Sequence, residues 1–526
     1  MSLPMKHEEK HLINKGHYGF KRAIFSRFGL IFVLLIIQFV ILFGLFAYFI
    51  NLLPHFLGAT FILDAIMVIY LFNNRMDPTA KITWLLIILS LPIFGSLLLL
   101  YVENDFGHRK IKQQVDKLIN LSKNDLKQNP QTYQALAADN LAEANLATYL
   151  ERVGNYPVYR NSEVTYFPLG EDKFQAMMEE LEKAEKFIFL EYFIIKEGYM
   201  WGNILDVLIK KAQQGVTVRV MYDGMNELSA LPHDYPEKLA AVGIECKIFS
   251  PLVPFISTHY NYRDHRKILV IDGQVGFTGG VNLADEYINK EHRFGHWKDT
   301  AVRVKGPAVK NFTLMFLRMW NIIHEHDQDF AQYLAIEPKR YPEAAGYVLP
   351  YADEPLDENK VGEMVYLDIL NRAKHYVHIM TPYLILDEEL ITALKFAAQR
   401  GVEVKIILPG IPDKKVAYSL AKSHYAELLD AGVQIYQYTP GFVHAKVFVS
   451  DDVRAVVGTI NLDYRSLYHH FECATYMYKT ANISQIAADF NDTMAKCERV
   501  TYQTIKDEKL SLKISGKLAK LIAPLL

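Results

Sequence analysis

One residue pattern occurs twice in this chain of 526 residues, and it limits the fold more than any other feature of the sequence. The pattern is H-x-K-x4-D-x6-G-[GT]-x-N, which begins at His265 in one copy and at His444 in the other, 179 positions later. The glycines Gly215 and Gly401, each between a helix-like and a strand-like run, are 186 positions apart, and a second glycine pair is 189 apart. Such glycines commonly end helices. Matching offsets of this kind predict a duplicated domain.

Each half alternates strand-like and helix-like runs. Phe187–Phe193 is apolar with alternating aromatics, Gly202–Gln213 has helical periodicity, and Val216–Tyr222 is β-branched and extended. This order predicts an α/β fold whose sheet is largely covered. We expect two tandem domains with mixed sheets that pack together. The expected ranges are linker helices over 109–150, a first domain over 151–335 and a second domain over 350–505.

The N-terminal part of the chain contains long apolar runs. No charged side chain occurs between Arg27 and Asp64. The runs 28–50 and 82–102 are both long enough to cross a bilayer core at about 1.5 Å per residue. A shorter run, 56–72, carries Asp64 and is a third span or a re-entrant helix. We therefore expect a basic flank over 1–27 followed by a transmembrane segment over 28–108.

Basic residues lie on both sides of the apolar runs, with Arg27 before them and Arg109 and Lys110 after them. Cytoplasmic loops are enriched in basic residues, so both flanks would lie inside, which requires an even number of spans. Three spans would break the rule on one side. Our prediction is a multi-pass protein of the cell membrane with a cytoplasmic catalytic domain. The tail 506–526 is basic and apolar at helical spacing, which indicates a helix on an anionic bilayer or a helix docked on the domain.

The repeated pattern places chemically active side chains on one face. His and Lys at i and i+2 of a strand point the same way, and a glycine turn returns the asparagine to the same end of the sheet. Two copies brought together suit a phosphodiester, because one imidazole attacks phosphorus while the other protonates the leaving alkoxide. Lysine and asparagine neutralise the non-bridging oxygens, so we expect no metal and no other cofactor. The candidate residues are His265, Lys267 and Asn282 in the first copy, and His444, Lys446 and Asn461 in the second.

These two copies resemble the paired HKD motifs of the phospholipase D superfamily. Further runs are similar to bacterial cardiolipin synthases, and the resemblance extends from about residue 56 to the end of the chain. The run 28–50 is an addition to the two-span arrangement of that family. The runs that carry the resemblance are Arg263-Asp-His-Arg-Lys, Gly276-Phe-Thr-Gly-Gly-Val-Asn282, Phe294-Gly-His-Trp-Lys-Asp299, Thr381-Pro-Tyr, Asn461-Leu-Asp-Tyr-Arg-Ser466 and Arg75-Met-Asp-Pro-Thr-Ala-Lys-Ile-Thr-Trp84.

The resemblance implies roles for the acidic residues. The motif aspartates Asp272 and Asp451, which we count with the catalytic residues, would support the site from behind. A separate acid would orient each histidine. Glu472 lies 28 positions after His444 and is the expected partner of that histidine.

In the first half, position 28 after His265 is Arg293, which cannot serve as an acid. Asp299 is therefore the expected partner of His265, with a surface salt-bridge role as its alternative. By analogy, the resemblance implies that His265 is the nucleophile and His444 is the general acid and base.

The resemblance also implies the reaction. One phosphatidylglycerol would donate its phosphatidyl group to a histidine and release glycerol, and a second phosphatidylglycerol would accept the group to give cardiolipin. Phosphatidylglycerol and anionic membrane lipid are the expected partners, while a net charge of −2 argues against nucleic-acid binding through bulk charge. The alternatives are a phospholipase D-type hydrolase or nuclease that uses water as the acceptor, and a non-catalytic membrane scaffold.

Overall fold

The structure, a computed structural model, begins with a series of helices. The predicted basic flank 1–27 and most of the apolar run 28–50 lie outside the residues that it describes. It describes residues 57–74, 76–91, 93–103, 106–123, 125–251, 262–323, 330–357 and 359–525, with a few positions between 36 and 48. The first helices are α1 (Leu57–Asn73), α2 (Pro78–Ser90), α3 (Phe94–Glu103), α4 (Phe106–Leu121), α5 (Pro130–Asp139) and α6 (Leu141–Gly154).

The apolar run 82–102 is divided between two helices, where the sequence favoured a single span. α2 ends at Ser90 and α3 begins at Phe94, and Leu91 between them leaves the helical region with φ −132° and ψ 71°. Pro92 follows Leu91 in the sequence, and a proline disfavours helical backbone in the residue before it. Within the described part of the chain, no helix combines the length and the apolar character needed to cross a membrane.

The described residues of the first half of the repeat form nine strands. Seven of them form one mixed sheet, in which the second, third and fourth strands run parallel and the remaining neighbours run antiparallel. The strands are β1 (Glu163–Phe167), β2 (Phe187–Tyr192), β3 (Thr217–Asp223), β4 (Glu245–Phe249), β5 (Arg263–Asp264), β6 (Lys267–Ile271), β7 (Val275–Gly279), β8 (His296–Lys298) and β9 (Ala301–Lys305). The order in the sheet is β1-β9-β7-β6-β2-β3-β4.

The second half repeats this topology. Its strands are β10 (Tyr347–Asp353), β11 (Tyr376–Met380), β12 (Glu403–Pro409), β13 (Gln434–Tyr438), β14 (Gly441–Val443), β15 (Val447–Ser450), β16 (Arg454–Gly458), β17 (His470–Tyr478) and β18 (Cys497–Arg499). The sheet order is β10-β17-β16-β15-β11-β12-β13-β18. Strand for strand this matches the first sheet, with β18 added at the edge, so the duplicated α/β domain is confirmed.

Helices cover both sheets, and one helix joins the two halves. That helix, α11 (Val309–Ile323), is buried along almost its whole length and packs against β6 of the first sheet and β10 of the second. The two halves therefore share a continuous core. The helices of the catalytic region are α7 (Gly170–Leu181), α8 (Tyr199–Gln213), α9 (Asn226–Ser229), α10 (Tyr235–Ala240), α11 (Val309–Ile323), α12 (Phe330–Leu334), α13 (Val361–Arg372), α14 (Glu388–Gln399), α15 (Lys415–Ser423), α16 (Tyr425–Asp430), α17 (Tyr464–Tyr468), α18 (Ile483–Met494), α19 (Tyr502–Asp507) and α20 (Leu510–Lys520).

The repeated glycines end helices, as their spacing predicts. Gly215 follows α8 and Gly401 follows α14, with φ values of +89° and +94°. Their backbone N–H groups donate to Ala212 and Ala398, each at 3.0 Å. A left-handed conformation favours glycine, so each helix stops here and the chain turns into a parallel strand.

The two halves exchange short strands where they meet. β5 of the first half pairs in parallel with β17 of the second, and β8 of the first pairs in parallel with β14 of the second. The backbone N–H of His265 donates to Phe471 O at 2.9 Å, and that of His444 donates to Lys298 O at 2.7 Å. Each motif histidine is therefore fixed to the half that does not contain it.

Candidate active site

The two motif histidines lie near one another at the seam between the halves. His265 directly follows β5 and His444 directly follows β14, and each is only 7% exposed. Burial and the positive charges of Lys267, Lys446 and His444 hold the pKa of His265 well below its usual range. Charges act on one another in this way only at short range. The structure thus brings the two copies of the motif together, as the sequence analysis predicts.

Each histidine is oriented by the acid of the other half, and in this respect the pairing expected from the sequence is wrong. His265 Nδ1 lies 2.8 and 3.0 Å from the two carboxylate oxygens of Glu472. His444 Nδ1 lies 2.7 Å from Asp299 Oδ2. Each expected acid contacts a motif histidine, but the exchanged strands bring each histidine to the acid of the opposite half.

The position of the motif that is glycine in one copy and threonine in the other contacts the acid of its own half. In the first copy this position is Gly280, where a Cβ atom would overlap Asp299 Oδ1. In the second copy it is Thr459, whose hydroxyl donates to Glu472 Oε2. Each acid therefore packs against the motif of its own half while it holds the histidine of the other half.

The two acids differ in their electrostatic surroundings. Burial raises the pKa of Glu472 well above its usual range, although Lys267 and the hydroxyls of Ser466 and Thr459 act against this. Ser466 Oγ donates to Glu472 Oε1 at 2.5 Å. Burial would also raise the pKa of Asp299, but the charge and hydrogen bond of His444 outweigh it, so the pKa of Asp299 is lowered. Asp299 is therefore the acid that best stabilises an imidazolium ion.

Both motif lysines are buried beside their histidines. Lys267 Nζ donates to the carbonyl oxygen of His265, and Lys446 Nζ donates to that of His444. Burial lowers the pKa of Lys267 to about 8 and that of Lys446 to about 7. An anionic phosphate would favour the charged form of both lysines, since an opposite charge nearby raises the pKa of an ammonium group.

The two motif asparagines are buried but differ in their contacts. Asn282 Oδ1 accepts from Ile194 N at 3.0 Å, and its Nδ2 donates to the Tyr287 hydroxyl at 2.8 Å. Asn461 Oδ1 is buried and has no hydrogen-bond partner among the described residues. This oxygen can accept a hydrogen bond from a ligand hydroxyl, whereas the Asn461 side chain also forms a hydrogen bond with Asp463.

The motif aspartates do not lie at the reaction centre, which corrects their place among the catalytic residues. Asp272 Oδ1 and Oδ2 accept hydrogen bonds from the backbone N–H groups of residues 185–187, at 2.7 to 2.8 Å. Asp451 does the same for residues 374–376, at 2.8 to 3.0 Å. Each lies seven positions after its histidine, roughly 20 Å away along an extended strand. These two residues fix the turn that enters a central strand.

Comparison with known proteins agrees with this geometry. A family model described as "Cardiolipin synthase, PLD-like domain" matches residues 177–320 and 366–494, and one described as "Phospholipase_D-nuclease N-terminal" matches residues 62–102. A protein called cardiolipin synthase in Geobacillus kaustophilus is 36% identical over 468 residues, which cover 88% of this chain and 91% of that protein. The chain belongs to the cardiolipin synthase family.

Two further similarities are one to a protein sequence and one to a crystal structure. An uncharacterized protein of Streptococcus mutans is 58% identical over 461 residues, covering 87% of this chain and 99% of that protein. The crystal structure of a phosphatidylserine synthase from Haemophilus influenzae superposes with a TM-score of 0.57 at 16% identity, covering 73% of this chain and 99% of that one. This second likeness concerns the fold alone.

A third histidine, which the sequence analysis missed, lies beside the pair. The His470 ring is 5.3 Å from the His265 ring, and its Nδ1 lies 3.6 Å from Glu472 Oε1. His470 and Glu472 are two positions apart on β17, and residues at this spacing on a strand share a face. The two-residue spacing between His470 and Glu472 is the sequence signal that predicts the His470 imidazole in the same site as Glu472.

The ligand atoms of His265, His470 and Glu472 lie within 4.8 Å of one another, a spacing at which three such groups can hold a metal ion. The Glu472 oxygens, however, already face His265 Nδ1 and the hydroxyls of Ser466 and Thr459. A cation would have to displace the hydrogen bond that orients the histidine. This donor set therefore fits the paired-histidine site of the family better than a metal centre.

Aromatic rings surround both imidazoles. The rings of Tyr287 and Trp297 each lie 5.4 Å from the His444 ring, and that of Phe442 lies 5.9 Å from it. The Phe193 ring lies 5.0 Å from the His265 ring. Aromatic rings therefore pack beside both imidazoles, next to the charged side chains of the site.

Proposed function

We propose that the protein transfers a phosphatidyl group from one phosphatidylglycerol to a second, giving cardiolipin and glycerol. The observation that carries this proposal is the pair of buried imidazoles at the seam between the halves, each with Nδ1 on a buried carboxylate and each with a lysine beside it. Such a pair divides one difficult displacement at phosphorus into two steps through a covalent intermediate.

In the first step His265 acts as the nucleophile. Its lowered pKa keeps the ring neutral, and the bond from Nδ1 to Glu472 leaves Nε2 free to attack. A P–N bond forms while the bond from phosphorus to the glycerol oxygen breaks. Burial lowers the pKa of His444 to about 4 in the ligand-free protein, but the negative charge of the bound phosphodiester favours the protonated ring. His444, held by the ionised Asp299, then gives its proton to that oxygen, so glycerol leaves as a neutral alcohol.

In the second step the roles reverse. The neutral His444 takes the proton from a hydroxyl of the second phosphatidylglycerol, and the oxygen attacks phosphorus as the P–N bond breaks. His265 returns to its neutral form and His444 to its protonated form, so the cycle needs no nucleotide. Lys267, Lys446 and Asn461 would stabilise the charge on the non-bridging oxygens in both steps.

The aromatic rings beside the imidazoles support transfer over hydrolysis. Tyr287, Trp297 and Phe442 stand around the ring that activates the acceptor. A site with such rings around it disfavours water and so protects the covalent intermediate until an alcohol arrives. Hydrolysis of a phospholipid remains the second candidate, and a scaffold role is disfavoured because both histidines are intact and oriented.

We also propose that the protein is a multi-pass protein of the cell membrane with its catalytic region on the cytoplasmic side. The basic residues on both sides of the apolar runs support this orientation. The tail helix α20 supports a catalytic region that lies on the bilayer: it buries Gly516 and Ala519 against the domain but leaves Leu510, Ile514 and Leu518 between 49% and 71% exposed. An exposed apolar stripe among lysines is typical of helices at lipid surfaces.

Product analysis tests the proposed reaction. Purified protein is incubated with labelled phosphatidylglycerol alone, and the lipids are separated. We expect cardiolipin with one glycerol released per cardiolipin formed. Phosphatidic acid as the main product, with no cardiolipin, would show that water is the acceptor and would refute transfer.

A further inference from the structure

A cavity of about 440 Å³ lies between the second domain and the C-terminal segment. Its walls come from α15 and α16 on one side and from α19 and α20 on the other, and neither catalytic histidine lines it. Because neither histidine lines it, the cavity is separate from the active site. Its volume is in the range of pockets that hold small organic ligands.

The charge around this cavity is strongly positive. Four lysines line it, at positions 422, 506, 513 and 517, and Glu508 is the one acidic residue among the lining residues. Lys422 forms an ion pair with Glu508, which leaves an excess of three positive charges in the walls. Such a site attracts an anion.

Apolar side chains form part of the remaining wall, beside hydroxyl groups of serine, threonine and tyrosine. Ile505, Leu510, Leu512 and Ile514 line the cavity, and the side chains of Leu510 and Ile514 are 71% and 49% exposed. Leaving apolar side chains of this size in water is unfavourable at roughly 25 cal/mol per Å². The cavity thus offers an apolar slot next to a cluster of cations.

The outer wall of the cavity is fixed to the domain. A Cβ atom at Gly516 of α20 would overlap Ser419 O of α15, and the hydroxyls of Ser515 and Ser419 lie 3.2 Å apart. At the end of the segment, the Thr83 hydroxyl of α2 donates to Leu521 O at 2.7 Å. The cavity is therefore tied to the apolar N-terminal helices.

We propose that this cavity binds one molecule of an anionic phospholipid that is not a substrate, with an acyl chain in the apolar slot and the phosphate among the lysines. An apolar tail joined to a phosphate matches both features of the walls, whereas a free anion would leave the apolar slot unused. The inference rests on the proposed function only in placing the chain at a membrane.

Photocrosslinking tests this site directly. The full-length protein in detergent is mixed with a phosphatidic acid that carries a photoreactive group on its acyl chain, and crosslinked peptides are mapped by mass spectrometry. We expect labelling in residues 419–426 and 502–517. A phosphatidylcholine probe with the same acyl chain should label these peptides roughly tenfold less, because its trimethylammonium group brings a positive charge beside the lysines and phosphatidic acid does not.

Variants locate the binding site. Ala426 is exposed and lines the cavity, so Ala426→Trp should fill the slot and remove the labelling without disturbing the core. The double variant Lys506→Glu with Lys513→Glu should reduce it at least as much as the change of headgroup. Ala481→Trp, at an exposed alanine outside the cavity, is the matched control and should label like the wild type.

Three results would overturn the proposal. These are labelling confined to other peptides, equal labelling by the phosphatidylcholine probe, and complete competition by inorganic phosphate, which would make the site one for a free anion. Phosphatidyl transfer is measured on the same preparations. Transfer that persists without labelling would refute this site alone, and labelling without transfer would refute the proposed function alone.

Discussion

The crossed pairing of acids and histidines makes a prediction that a pairing within each half does not. Asp299→Asn and Glu472→Gln keep the size of each side chain and replace its carboxyl group with an amide. Because His444 contacts Asp299 and His265 contacts Glu472, each acid variant should reproduce the defect of the histidine in the other half. Asp299→Asn should resemble a weakened His444→Asn, and Glu472→Gln a weakened His265→Asn.

The size of the effect follows from the contacts. The His444–Asp299 contact is 2.7 Å long and Asp299 is fully buried, so solvent does not screen the pair. A hydrogen bond to a charged group contributes about 1.5–3 kcal/mol. Its loss in the transition state should therefore slow phosphatidyl transfer by roughly 10- to 150-fold, at about 1.4 kcal/mol per factor of ten.

A substrate with a good leaving group separates the two roles. Glycerol needs a proton when it departs, but nitrophenolate does not, so phosphatidyl-p-nitrophenol bypasses the general acid in the first step. With this substrate, His444→Asn and Asp299→Asn should each keep a burst of nitrophenolate. His265→Asn should lose the burst, and Glu472→Gln should show a slower one.

The comparison between the variants is independent of which histidine is the nucleophile. If the nitrophenyl substrate rescues His265→Asn instead, Glu472→Gln must be rescued with it, and only the roles are exchanged. Rescue of His265→Asn together with Asp299→Asn, or of His444→Asn together with Glu472→Gln, would contradict the crossed pairing.

Further expectations concern the histidines, cofactors and pH. His265→Ala and His444→Ala should each nearly abolish transfer, with the double variant little worse, because the two groups act as one unit; a tenth of wild-type activity in either single variant would contradict this. Activity in a fixed detergent micelle should survive excess chelator, and complete loss that only a stoichiometric divalent ion restores would refute a metal-free site. Burial lowers the pKa of both His444 and His469 to about 4. The folded state therefore favours the neutral rings. The free energy of unfolding should decrease as pH falls from about 6.5 towards 4, by at most roughly 3 kcal/mol per ring. His469→Gln should reduce the fall of the unfolding temperature between pH 7 and pH 5, and an unchanged slope would contradict the assignment.

The fold and the centre of the site could be predicted because they leave local marks in the sequence. Gly215 and Gly401 must take a left-handed backbone, so both copies keep glycine at the end of the helix. The spacing of His265 and Lys267 fixes their strand geometry, and the same spacing recurs in the second copy. These constraints act within a few residues of each position.

The pairing of the acids could not be predicted, because it depends on contacts between distant segments. Asp299 and Glu472 were recognised, but nothing in their spacing tells which histidine each one meets. The exchange of β5 and β8 between the halves decides this, and these strands have only two and three residues. Strands so short carry almost no periodic signal.

Two other differences have local physical causes. Asp272 and Asp451 belong to the repeated pattern because three backbone N–H groups need an acceptor at each turn, a structural demand that sequence alone does not distinguish from catalysis. The apolar run 82–102 satisfied the length for a span, but Pro92 disfavours helix at Leu91. A proline inside an apolar run can therefore divide it into two helices that are each too short for a span.

The covalent step is the most direct test of the account. The protein is mixed with phosphatidylglycerol labelled in its phosphorus, quenched during turnover, and digested for peptide mapping under basic conditions, because a phosphoramidate is labile to acid. We expect at most one phosphatidyl group per chain, on His265, with more trapped in His444→Asn and none in His265→Asn. If no covalent lipid forms in the wild type or in His444→Asn while glycerol is released in a burst, the two-step mechanism is wrong and the acceptor attacks the donor directly.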